Sequence, residues 1–164
     1  MRRMLALIAC AIFSSTIAAA GTSGVSGNVL AEKGYAGNAG LSVSAGLGIG
    51  ADLFTSHGYS FGNGLWIGGG TGLSFPSPYD LFLPLYSEIK YSFLADRRVS
   101  PFLSARVGGM TNFEDSVMIL APEIGADIGR VSIFLSADSK AVGAIRYSIG
   151  VCWNYRSRGA QKRL

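Results

Sequence analysis

A chain of 164 residues suits one domain, and at 49% hydrophobic, 15% charged and 23 glycines it is greasy and poor in charge. Beyond the first twenty residues no apolar run reaches the roughly 20 residues of a membrane helix, so a membrane role would require a closed barrel of strands. The net charge of +4 comes from the ends, because between Arg3 and Arg156 eight basic residues face all ten acidic ones, without the basic stripe that a nucleic-acid partner requires.

The N-terminus reads MRRMLALIACAIFSSTIAAAG. Arg2 and Arg3 precede an apolar stretch from Met4 to Ile17, and Ala18–Ala20 supply small residues for cleavage. This is the pattern of a secretory signal peptide over residues 1–20, and it leaves the fold to the remainder. Leu7-Ile8-Ala9-Cys10 has the look of a lipid-attachment box, but a cut there leaves an apolar stretch shorter than export signals use. With Cys10 removed, Cys152 stands alone and no intramolecular disulfide forms.

From Tyr35 onward the chain divides into eight short runs with turn signals between them. Tyr35–Leu47, Ala51–Phe61 and Leu65–Phe75 are the weaker three; the second alternates poorly and the third is rich in glycine. Leu81–Leu94 is the clearest, with Leu81, Leu83, Leu85, Ile89, Tyr91 and Phe93 on one face and Tyr86, Glu88, Lys90 and Ser92 on the other. Val99–Met110, Val117–Ile128, Val131–Asp138 and Ile145–Tyr155 sort the same way, and place Arg106, Glu123, Asp127, Asp138 and Arg146 on their polar faces. The turns fall at Gly48–Gly50, Gly62–Gly64, Pro76–Asp80, Ala95–Arg98, Thr111–Ser116, Gly129–Arg130 and Lys140–Gly143. Eight runs of bilayer-spanning length on short turns predict an all-β, eight-stranded, antiparallel up-and-down barrel over residues 34–155, followed by a basic tail over 156–164.

Alternation alone does not say which face meets water. The polar face carries serine and glycine and few charges, whereas a water-facing surface is about 25–35% charged. Aromatics (Tyr59, Phe61, Phe75, Tyr91, Phe93, Trp153 and Tyr155) gather near run ends, where interfacial girdles belong. Both features predict a transmembrane barrel with its apolar face outward. Glu88, Lys90, Arg106, Glu123, Asp127, Asp138 and Arg146 then share a lumen only wide enough for side chains, and are expected to pair there as a closing network.

The stretches TSHGYSFGNGLWIGGGTGLSF (Thr55 to Phe75) and LPLYSEIKYSFLADRRVSPFLSARVGG (Leu83 to Gly109) resemble recurrent segments of the small outer-membrane β-barrel proteins of Gram-negative bacteria, the porin-like and OmpA/OmpX-type eight-stranded barrels. The resemblance covers about Gly34 to Tyr155 and implies the barrel fold, the outer membrane, and partners limited to outer-membrane lipids and the assembly machinery. It supplies no catalytic residue, cofactor or metal. Two departures stand out. Trp153 and Tyr155 precede the basic tail RSRGAQKRL where such barrels often end on an aromatic, and no length remains for a peptidoglycan-binding domain.

The expected function is a structural or small-solute, porin-like role without catalysis. Two alternatives remain open. Ser56, His57 and Glu88 have the residue types of the lipid A hydrolases of the outer membrane, although neighbours in a strand face opposite sides. A secreted lipocalin-like barrel binding an apolar ligand would use the same alternation with the faces reversed. With one histidine and one remaining cysteine no metal-ligand spacing exists, and the glycines at Gly68–Gly72 lack the lysine of a phosphate loop. They read instead as room for bulky lumen neighbours such as Trp66 and Phe102.

Overall fold

The computed structural model describes residues 28–46, 48–77, 80–112, 114–140 and 145–156. Eight strands form one closed barrel in sequence order: β1 (Lys33–Ala45), β2 (Ile49–Phe61), β3 (Leu65–Ser77), β4 (Asp80–Ser92), β5 (Val99–Thr111), β6 (Ser116–Ile128), β7 (Val131–Lys140) and β8 (Ile145–Arg156). Every neighbour is antiparallel, and β8 closes the ring on β1 from Ala36↔Arg156 to Ala45↔Tyr147. Closure removes both sheet edges, so the strand ladders satisfy the wall's polar backbone.

The strands run Lys33–Arg156, one residue beyond the expected barrel at each end. The expected signal peptide and nearly all of the basic tail lie outside the described residues. Several boundaries differ from expectation. β1 stops at Ala45, because the chain turns through Gly46, whose N–H bonds the Gly48 carbonyl, so strand structure resumes at Ile49 inside the expected turn. β4 stops at Ser92, and Phe93 and Leu94 open the turn. β3 continues to Ser77 past Pro76, where its register against β4 slips between Ser74 and Ser77; a residue without an N–H is tolerated at such an irregularity.

The two faces are sharply divided. Outward side chains make an apolar belt: Leu85 is 72% exposed, Ile124 59%, Ile149 57% and Leu135 56%. A soluble monomer rarely shows a contiguous apolar patch beyond a few hundred Å². Inward side chains are mostly serines, ions and aromatics, with Asp127 at 0% exposure and Trp66 at 2%, and with Met110 and Ile119 packed on Tyr86 near the far end. This inversion contradicts the soluble lipocalin-like alternative, which needs the aliphatic row inside. Exposed aromatics concentrate at the end where β1 starts and β8 stops, here the terminal end: Tyr35, Tyr59, Phe61, Tyr91, Phe93 and Trp153, with Tyr155 beside them but covered by its neighbours at 3% exposure. Of the expected girdle residues only Phe75 lies toward the far end.

Eight strands enclose little space, and glycine opposite aromatic is how this lumen fills it. A Cβ on Gly68 would lie 2.5 Å from the Trp66 ring, one on Gly125 2.7 Å from Phe102, and one on Gly70 2.6 Å from Tyr86. Gly150 gives the same room to Phe134. Phe54, Phe102, Phe134 and Cys152 consequently pack as one buried cluster across the barrel. Gly125→Ala should destabilise the barrel by about 1–3 kcal/mol in urea unfolding from lipid vesicles, the usual cost of overpacking. Gly109→Ala, where an added Cβ meets nothing nearer than 3.6 Å, should leave the midpoint unchanged.

Candidate functional site

The pleat sends Glu88 and Lys90 (β4), Arg106 (β5), Glu123 and Asp127 (β6), Asp138 (β7) and Arg146 (β8) into the lumen, where they fall into three tiers. Nearest the terminal end, Lys90 Nζ donates to Asp127 Oδ1 at 2.6 Å. Ser92 Oγ donates to Asp127 Oδ2 at 2.8 Å, Ser132 Oγ donates to Oδ1, and Asn154 Nδ2 donates to Ser132 Oγ at 2.6 Å. Lys90 Nζ also lies 3.8 Å from the Phe102 ring centroid, so one buried ammonium is shared between a carboxylate and a π-face.

Arg106 is the middle tier. Its Nε donates to Glu88 Oε2 at 3.4 Å, and Nη1 stands 3.0 Å from Glu123 Oε1, a charge contact outside hydrogen-bonding alignment. Ser56 Oγ and Ser104 Oγ donate to the other demands of these carboxylates, at 2.9 Å to Glu88 and 2.8 Å to Glu123. Phe54, Tyr86 and Phe134 surround the guanidinium, the nearest centroid 4.4 Å from its carbon. At the far end Arg146 Nη2 donates to Asp138 Oδ2 at 2.8 Å and Nη1 to Asp52 Oδ1 at 3.3 Å. Above Arg106 and beside this pair lies a cavity of about 50 Å³, lined by Asp52, Tyr86, Phe134, Asp138 and Arg146. It has room for a handful of waters and falls far short of the roughly 300 Å³ of a ligand pocket.

Two parts of this lumen are missing from the sequence reading. Asp52 was hidden because β2 alternates poorly: Phe54 points in while Thr55 and His57 point out. Its register against Ser42 and Ser74, both inward, carries the signal. The second is a single 3-10 turn, Val29–Ala31, packed into the terminal mouth.

Ser56 and Glu88 do meet, at 2.9 Å inside the lumen, but His57 lies on the outer wall. The serine–histidine pairing of the hydrolase alternative is therefore not formed. His57 instead joins an outward polar cluster at the girdle. The Tyr155 ring lies over Gly37, with its hydroxyl 3.1 Å from His57 Nδ1; the Tyr35 hydroxyl reaches the same nitrogen, and Thr55 Oγ1 lies 3.2 Å from Nε2. These contacts satisfy a polar ring on an apolar belt. Among the described residues no group of three or more His, Cys, Asp or Glu side chains is arranged to hold a metal.

No protein-family model and no curated protein matches the chain. Solved structures do. Neisserial surface protein A, NspA, is similar with a TM-score of 0.55 at 13% identity, over 75% of this chain and 96% of that one. The N-terminal β-barrel domain of Pseudomonas aeruginosa OprF gives 0.53 at 12%, over 76% and 100%. A de novo designed transmembrane barrel, TMB2.3, gives 0.53 at 9%, over 77% and 97%. The fold is thus that of an eight-stranded transmembrane barrel, and natural and designed chains share it, so any activity must be argued from side chains.

Arg106→Leu should lower stability by about 3–5 kcal/mol in urea unfolding from vesicles, because Glu88 and Glu123 lose their shared cation. The triple variant Arg106→Leu, Glu88→Gln, Glu123→Gln should regain most of that loss; equal midpoints for wild type and Arg106→Leu would refute the pairing.

Proposed function

We propose that this protein is a bacterial outer-membrane barrel with a structural role, exported under residues 1–20 and closed to bulk solute. One observation carries the reading: the outer wall is an apolar belt, while the lumen is crossed by three tiers of ion pairs packed among aromatic rings. An exposed aliphatic wall needs lipid around it, and only a closed barrel can offer one without unpaired backbone.

In an even-stranded barrel both ends of the chain lie on one side, the periplasm in bacteria. The aromatic girdle at the terminal end then sits at the inner interface of that membrane. The partners that follow are the surrounding outer-membrane lipids and the machinery that assembles such barrels, with Trp153 on β8 exposed outward where that machinery would meet it. Small solutes are stopped at the Arg106 tier, and the far-end cavity above it admits only water-sized species from that side. No catalytic role is proposed, because Ser56 and His57 stand on opposite faces of β2.

Membrane fractionation with heat-modifiable gel migration tests the localisation. The protein should appear in the outer-membrane fraction and migrate differently before and after boiling; a periplasmic protein showing no shift would overturn it. In planar bilayers the wild type should give no large stepwise conductance, and open-pore currents would refute a closed lumen.

A further inference from the structure

The turn Val29–Ala31 is the one described segment of the lumen filling that does not belong to the wall. Gly34 takes φ +140°, a region open to glycine, where the chain leaves β1 toward the barrel interior. The Asn28 side chain caps the turn by accepting from the Leu30 N–H at 3.0 Å. Val29 and Leu30, each 6% exposed, pack on Ala36 and Trp66. Ser60 Oγ donates to the Leu30 carbonyl at 3.1 Å.

Asn28 also reaches the ionic core. Its Nδ2 donates to Asp127 Oδ2 at 3.2 Å, adding a fourth donor to those of Lys90, Ser92 and Ser132. Asp127 is one residue from the terminal end of β6, a level at which an open barrel would be wet, yet it is 0% exposed. Ser60, Ser92, Ser100 and Ser132, at the same end, are 0–1% exposed. The turn lies directly against Asp127 and Ser60 of this tier, and the segment contributes no strand to the ladder that holds the wall together.

We propose that Asn28–Ala31 is a removable stopper, bound to a pocket of Trp66, Ala36, Ser60 and Asp127, whose withdrawal opens the terminal half of the lumen to solvent. The pocket recognises a short segment with an amide side chain followed by two aliphatic ones: the carboxylate of Asp127 takes the amide, the indole takes the aliphatics. Behind it lies a polar chamber of serines with the Lys90–Asp127 pair at its centre. The chamber ends at the Arg106 tier, so the stopper controls access from one side and leaves through-flow blocked.

Cys152 is a built-in reporter. It points into the lumen from β8 at 7% exposure, one inward position deeper than Asn154. It is the sole cysteine of a chain starting at residue 21. In such a chain, refolded in vesicles, Asn28→Asp with Leu30→Ser places like charge against Asp127 and a hydroxyl against Trp66. A small methanethiosulfonate reagent should then modify Cys152 at least tenfold faster than in wild type, with heat-modifiable migration intact. A synthetic Gly-Asn-Val-Leu-Ala peptide, matching residues 27–31, should slow that reaction again when added in excess. Equal rates in the variant and wild type would overturn the proposal, as would failure of the peptide to protect. Should the variant fail to fold, wild-type hydrogen exchange decides. The Leu30 and Ala31 amides should exchange at least a hundredfold faster than those of mid-β1, and exchange as slow as the strand would show a fixed part of the wall.

Discussion

A strand sends successive side chains to opposite faces, and a closed barrel that shows an aliphatic face outward must satisfy every inward polar group within its own narrow lumen. That constraint organises this molecule. Most leucines, isoleucines and valines occupy the outer row, and serine, glycine, aromatic rings and paired ions fill most of the inner row. A one-residue slip of β4 or β5 would put Glu88 or Arg106 into the belt and Ile89 or Leu103 into the lumen, so the pattern itself holds the register.

The lumen depends on pairing at every level. Three inward cations meet five inward carboxylates among the described residues, and the two arginines are each shared by two of them. Serine hydroxyls donate to Glu88, Asp127, Glu123 and Asp138, which gives many of the buried serines their partners. Aromatic rings fill what ions cannot, and Gly68, Gly70, Gly125 and Gly150 make room for Trp66, Tyr86, Phe102 and Phe134. Such a network is weak evidence for stability, because well-packed apolar groups can do as well. Its evident effect is closure: it leaves little of the lumen to water.

The strands whose alternation is strict were legible from residue order alone. β4 through β8 each separate an aliphatic row from one that carries ions, although Met110 and Ile119 join the inner row of β5 and β6 near the far end. β2 was obscured because both of its faces break the rule: Phe54 is inside, filling the lumen, and His57 is outside, satisfied by two tyrosines brought from β1 and β8. Those partners are 22 and 98 residues away, and no local pattern reports them. Asp52 was lost for the same reason. The turn at Asn28–Ala31 carries no periodicity, and its site exists only once β6 has placed Asp127 at the mouth. The end of β1 moved because Gly46 bends the backbone before the apolar pattern stops.

The two tryptophans give the most direct test of the inverted arrangement. Trp153 faces outward at 43% exposure, while Trp66 faces the lumen at 2%. In single-tryptophan variants, Trp66→Phe and Trp153→Phe, refolded into vesicles of brominated phospholipid, the remaining Trp153 should be strongly quenched and the remaining Trp66 nearly unaffected. Quenching of Trp66 with Trp153 spared would contradict the assignment of lipid to the aliphatic face.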